Sequence, residues 1–230
     1  MKTRIVRFLD RLADRFISSQ QLKQAQNIKY ELAKRANKTT VDYVEKHMRD
    51  VSSVHTKWRV LDLALHEVKV NGLYLEFGVF QGETINYIAK HCQAKVYGFD
   101  SFEGLPEFWR DGFEKGAFNV DHLPKVERSV TLIKGWFDET LPKFLEDKAD
   151  EQIAFLHIDC DLYSSTKTIF DCLEDRIIPG TVIVFDEYFN FPGWENDEFR
   201  AFKEYIEKSG RNYKYITYNY LHEQVALKII

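Results

Sequence analysis

The run Glu76-Phe77-Gly78-Val79-Phe80-Gln81-Gly82 constrains this chain more than any other stretch. It follows the apolar segment Leu73-Tyr74-Leu75 and opens a helix-like segment from Glu83 to Ala89. A strand that ends in a glycine turn and then enters a helix brings backbone N–H groups close to a ligand. A second apolar run, Val96-Tyr97-Gly98-Phe99, ends in Asp100. An acid at the tip of the second strand is where a doubly wound sheet holds ribose hydroxyls. The two runs together imply a nucleoside-containing cofactor.

The spacing narrows the choice of nucleoside. A dinucleotide site uses Gly-x-Gly-x-x-Gly with the pyrophosphate at the helix end. Here only Gly78 and Gly82 are present, preceded by Glu76, which would repel a pyrophosphate and suits the cationic end of an amino-acid moiety. No Gly-x-x-x-x-Gly-Lys-Ser/Thr loop occurs, which excludes a P-loop. The pattern Glu-x-Gly-x-x-x-Gly resembles motif I of the class I S-adenosylmethionine methyltransferases. A purely structural reading stays open, in which the two glycines make a tight turn and Glu76 caps it.

The chain has 230 residues, of which 44% are hydrophobic, enough for one large domain or a domain with an appendage. Its net charge of −4 gives no general attraction for nucleic acid. The charge is uneven, with ten Lys/Arg against three Asp/Glu in residues 1–40. Cys92, Cys160 and Cys172 are odd in number and lack Cys-x-x-Cys spacing, so reduced thiols in a cytoplasmic protein are expected. No run reaches transmembrane length, and the charged start lacks a signal-peptide apolar stretch.

Residues 1–70 contain no proline or glycine and read as helical, forming an N-terminal helical cap. Ile5, Phe8, Leu9, Leu12 and Phe16 recur at helical spacing, beside a stripe of Arg4, Arg7, Arg11 and Arg15. The apolar stripe is expected to pack on the body or on a second copy, giving a homodimer. Peripheral contact with an anionic membrane is the other reading. Residues 39–69 read as one or two further helices, placing His55, Trp58 and Arg59 where they can face an acceptor.

From residue 71 strand and helix signals alternate, which implies a parallel sheet wrapped by helices. Strands are expected at 73–78, 95–100, 130–135, 154–159 and 181–187, with helices at 83–92, 138–147 and 164–175. A helix at about 195–208 is followed by strands at 213–218 and 224–230, close enough to be antiparallel. The fold class is therefore α/β: a Rossmann-like, mostly parallel class I methyltransferase sheet over residues 71–230, closed by a C-terminal antiparallel hairpin. Residues 101–128 form a long loop that reads either as a lid or as a plain excursion.

His157-Ile158-Asp159-Cys160-Asp161 ends the fourth of these strands and Phe185-Asp186-Glu187-Tyr188 the fifth. In a parallel sheet both tips reach the same edge, so up to four carboxylates converge. Such crowding calls for a counter-charge, and a divalent cation such as Mg²⁺ would supply it and help ionise an acceptor hydroxyl. A pair of carboxylates acting as base and orienting group without an ion stays open. His157 shares a strand face with Asp159 and is a second candidate base.

Beyond motif I, residues 71–230 resemble the macrocin O-methyltransferase family, which methylates sugar hydroxyls of macrolides and related glycosylated products. The residues that carry the resemblance are Glu76 to Gly82, Asp100-Ser101-Phe102-Glu103-Gly104-Leu105-Pro106, Gly135-Trp136-Phe137 with Thr140-Leu141-Pro142, Asp159 to Thr166, and Asp186-Glu187-Tyr188. The resemblance implies S-adenosylmethionine as cofactor, with Glu76, Gly78 and Gly82 on its amino-acid part. Asp100 and Ser101 fall on the ribose, Gly135, Trp136 and Phe137 beside the adenine, and Asp159 at the reacting end. It also implies Mg²⁺ on Asp159, Asp186 and Glu187 and a small-molecule or glycan acceptor, and Asp159 is the expected proton acceptor. Where the family usually has glycine and aspartate, this chain has Cys160 and Glu187. A carboxylate-cluster metallohydrolase and a non-catalytic cofactor-binding module remain as rivals.

Overall fold

The computed structural model describes residues 26–148 and 151–230. Helix α1 (Ile28–His47) starts where the Asn27 side chain accepts the Tyr30 N–H, and helix α2 (Lys57–Glu67) starts where Thr56 accepts the Arg59 N–H. Between them lies a three-residue strand, β1 (Ser52–Val54). From there strand and helix alternate: β2 (Leu73–Phe77), α3 (Glu83–His91), β3 (Val96–Asp100), β4 (Val130–Lys134), α4 (Phe137–Glu146), β5 (Ile153–Ile158) and α5 (Tyr163–Leu173). Then come β6 (Ile177–Phe185), α6 (Glu198–Ser209), β7 (Tyr213–Asn219) and β8 (Val225–Ile229).

The eight strands form one sheet in the order β1-β7-β8-β6-β5-β2-β3-β4. Pairings are parallel except where β8 runs antiparallel to β6 and β7. This is the expected Rossmann-like, mostly parallel sheet with its closing antiparallel hairpin. Within residues 39–69, where the sequence predicts only helices, β1 is an addition. Ser52–Val54 pairs in parallel with Thr217–Asn219, and the Thr217 hydroxyl donates to the Ser52 carbonyl at 2.9 Å. Three residues are too few to set a period, so a distant edge decides their conformation. The Ile5–Phe16 stripe and its arginines lie outside the described residues.

Helices cover both faces. On one side Met48, Leu141, Phe170 and Phe202 pack on the sheet, and on the other Val60, Leu61, Ile85 and Ile88 do so. The inner strands β5, β6 and β8 are largely apolar runs because both their faces are buried. β2 is central. The chain moves outward from it to β3 and β4, then crosses to β5 on its other side, so a crevice opens at the carboxyl ends of β2 and β5. Among the described residues, no helix is long and apolar enough to cross a membrane.

Candidate functional site

The glycine turn is built by close approach. Gly78 has φ +88°, and a Cβ there would sit 1.7 Å from the Asp159 carbonyl oxygen. Glycine is required on both counts, for left-handed backbone and for contact with the tip of β5. Asp100 then fastens the turn from the tip of β3. Its Oδ2 accepts the Val79 and Phe80 N–H groups, each at 2.8 Å, and its Oδ1 accepts the Phe102 N–H at 2.6 Å. Gly82, at φ +79°, leads into α3.

Above this turn lies a cleft of about 1080 Å³. It is lined by Gly78–Thr84, Asp100, Ser101, Trp136 and Phe137 and by the carboxylates Asp159, Asp161, Asp186 and Glu187. The loop 101–128 borders it through Trp109, Arg110, Phe113 and Phe118. Arg110 holds that loop in place. Its Nη1 donates to both carboxylate oxygens of Glu223 at 3.1 Å, and its guanidinium stacks 3.8 Å from the Trp109 ring and 4.7 Å from that of Phe191.

At the acidic end, the sheet's backbone ladder continues past the strands. Asp159 N–H donates to Phe77 O, and Asp186 N–H to Ile158 O, both at 2.9 Å. Ligand atoms of His157, Asp159 and Asp186 lie within 4.8 Å of one another, and Glu187 falls outside this group. Buried Glu198, at the start of α6, ties the two strand tips together. Its Oε1 accepts the N–H groups of Cys160 and Asp161, both at 3.2 Å, and its Oε2 accepts that of Glu187 at 3.3 Å. Asp161 sits at φ +66°, a conformation these bonds help to hold.

The carboxyls are short of positive charge. Burial first, then the charge of Asp186, pushes Asp159 well above the usual carboxylate range. Burial likewise raises Glu187 and Glu198, and it raises Asp161 to about 7 against the opposing pull of Arg110. Among the described residues His157 Nε2 and Glu187 Oε2 are buried without hydrogen-bond partners. Crowded oxygen donors and orphaned lone pairs fit a divalent cation.

Several sequence candidates sit elsewhere than expected. Glu76 is fully buried and reaches no wall of the cleft. Its Oε1 accepts the Thr84 hydroxyl and its Oε2 lies 3.0 Å from His157 Nδ1, so it supports the turn and the histidine from beneath. His157 is also fully buried behind the cleft. Gly135 stands behind Trp136, donating its N–H to the Asp100 carbonyl at 3.0 Å. Of the N-terminal candidates His55, Trp58 and Arg59 none lines the cleft: Arg59 pairs with Asp62 and Trp58 rests on Tyr87, while the neighbouring Lys57 does line it. Glu198 and Arg110 were not singled out, because a helix-start glutamate and a loop arginine carry no local mark of their distant partners.

Residues 75–188 match the family model described as a methyltransferase domain. The chain resembles the crystal structure of a calicheamicin methyltransferase, with a TM-score of 0.60 at 20% identity over 88% of this chain and 93% of that one. It is 26% identical to the 8-demethyl-8-(2,3-dimethoxy-alpha-L-rhamnosyl)-tetracenomycin-C 4'-O-methyltransferase of Streptomyces olivaceus, over 52% of this chain and 54% of that protein. It is 28% identical to the demethyldecarbamoylnovobiocin O-methyltransferase of Streptomyces niveus, over 46% of this chain and 47% of that protein. The chain spans about half the length of the curated relatives it matches.

Proposed function

We propose that this protein is an S-adenosylmethionine-dependent O-methyltransferase acting on a hydroxyl of a sugar or glycosylated small molecule, assisted by a divalent cation such as Mg²⁺. The observation that carries the reading is the contact of Gly78 with Asp159, which sets the cofactor turn directly against the acidic strand tip. A sugar acceptor is supported by the relative named for a rhamnosyl substrate.

In this reading the Gly78–Gly82 turn, Asp100, Ser101, Trp136 and Phe137 hold the cofactor. Asp100 already receives three N–H groups, and a carboxylate's remaining lone pair is free for a ribose hydroxyl. When bound, S-adenosylmethionine supplies an activated methyl on a sulfonium that leaves as a neutral thioether. A cation at the acidic end would lower the pKa of an acceptor hydroxyl. Asp159, held against the Gly78 turn, takes the hydroxyl proton as the oxygen–methyl bond forms. Trp109, Phe113 and Phe118 wall off water, and the protein's main contribution is to align the two reactants. Residues 71–230 form the cofactor-binding unit and the preceding helices cap it, in a cytoplasmic homodimer with no nucleic-acid substrate.

Isothermal calorimetry with S-adenosylmethionine tests the first step, and absence of binding heat at millimolar cofactor ends the proposal. Methyl transfer from labelled cofactor to rhamnosylated polyketides tests the second. Full turnover by Asp159→Asn would remove its proton-accepting role.

A further inference from the structure

We infer that the cation at this site is held by an imidazole as well as by carboxylates: His157 Nε2 joins Asp159 and Asp186, and Glu76 orients the ring from behind. This rests on the cation-assisted reading above and replaces its all-oxygen ligand set.

Three observations carry it. First, the His157 side chain is 1% exposed, and its Nε2 has no hydrogen-bond partner among the described residues. Second, Nδ1 is already taken, 3.0 Å from Oε2 of a fully buried Glu76 whose Oε1 is itself fixed by the Thr84 hydroxyl. A carboxylate at Nδ1 places the ring proton there and leaves a lone pair on Nε2, the arrangement by which metal-binding histidines are oriented. Third, that lone pair lies 4.0 Å from Asp186 Oδ1, too far for a hydrogen bond. Two ligands each about 2.1 Å from one ion lie at most about 4.2 Å apart, so the gap suits a shared cation. Asp186 is steadied in turn by Gln224, which donates to its Oδ2 at 3.0 Å.

A nitrogen in the ligand set changes the preferred metal. Imidazole favours borderline transition ions, whereas Mg²⁺ favours oxygen alone. The site therefore favours a borderline ion such as Co²⁺ over Mg²⁺, and Mn²⁺ serves as the paramagnetic probe.

The test is electron spin-echo spectroscopy on the full chain loaded with Mn²⁺ alone, together with calorimetric titration by Mn²⁺, Co²⁺ and Mg²⁺. The expected result is ¹⁴N modulation from a coordinated imidazole, with Co²⁺ binding at least ~10-fold tighter than Mg²⁺. Glu76→Gln should weaken Mn²⁺ binding by about 10–100-fold. Glu187→Gln should keep the nitrogen signal. Mn²⁺ binding without ¹⁴N modulation, or no Mn²⁺ binding at all, overturns the ligand assignment. The wild-type spectrum decides even if a variant fails to fold. Failure of the methyltransferase reading would show separately, as a cation site with the nitrogen signal but no cofactor heat.

Discussion

Gly78→Ala is the sharpest probe of how this site is assembled. A Cβ at that position would lie 1.7 Å from the Asp159 carbonyl oxygen and 2.7 Å from its carbon. Opening the shorter contact to the 3.0 Å that real Cβ atoms respect demands about 1.3 Å of movement in a close-packed strand edge. The left-handed backbone adds about 1–2 kcal/mol. The two costs separate by comparison with Gly210→Ala. Gly210 has φ +65° but nothing within 4 Å of its would-be Cβ, so it reports backbone strain alone. Gly210→Ala should lose about 1–2 kcal/mol in guanidinium melts and retain cofactor affinity. Gly78→Ala should lose more stability and at least ~10-fold in S-adenosylmethionine affinity, equivalent to ~1.4 kcal/mol. Displacing Asp159 by about 1 Å should cost about 100-fold in turnover. The reasoning fails if the two variants melt alike and Gly78→Ala binds the cofactor within about twofold of wild type.

Glu198→Gln puts an amide NH₂ against backbone N–H donors, so stability should fall by about 1–3 kcal/mol by denaturant titration, and cation affinity should fall with it. Without a divalent ion the raised carboxyls give a definite pH trend: the folded state binds more protons than the unfolded one, so stability declines as pH rises from about 4 through about 7. Asp161, pushed up to about 7, contributes a few kcal/mol of that decline. Melting temperatures in EDTA should therefore drop toward neutral pH and recover on adding Mn²⁺, most at the higher pH; a flat profile refutes the charge crowding. Arg110→Ala releases the loop from Glu223, so proteolysis near residues 105–120 should quicken and acceptor KM rise. Cofactor affinity should stay unchanged, and unaltered cleavage would show that the ion pair does not hold the loop.

Local chemistry made the sheet legible. The Gly78–Gly82 turn, the acid at the end of β3 and the short link between β7 and β8 each carry their own signal, and they identify the topology before any long-range contact is known. The acidic tips were legible for the same reason, since parallel strands bring Asp159 and Asp186 to one edge. What escaped was pairing over long separations. Glu76 and His157 stand side by side in register across β2 and β5, 81 residues apart in sequence. Without that register Glu76 reads as a cofactor ligand rather than as the partner of a buried ring. Strand β1 depends on an edge 165 residues away. Glu198 looks like any acid in the first turn of a helix until the two strand tips above it are placed.

The bonds from Asp100 to Val79 and Phe80 bear on how the cleft could evolve or be redesigned. The turn arrives with its own anion installed, so the donors that a nucleotide-binding protein offers to a diphosphate are already spent. Grafting a third glycine into residues 78–82 would therefore not create a dinucleotide site. The aspartate would first have to be removed, and with it the clasp that gives the turn its shape.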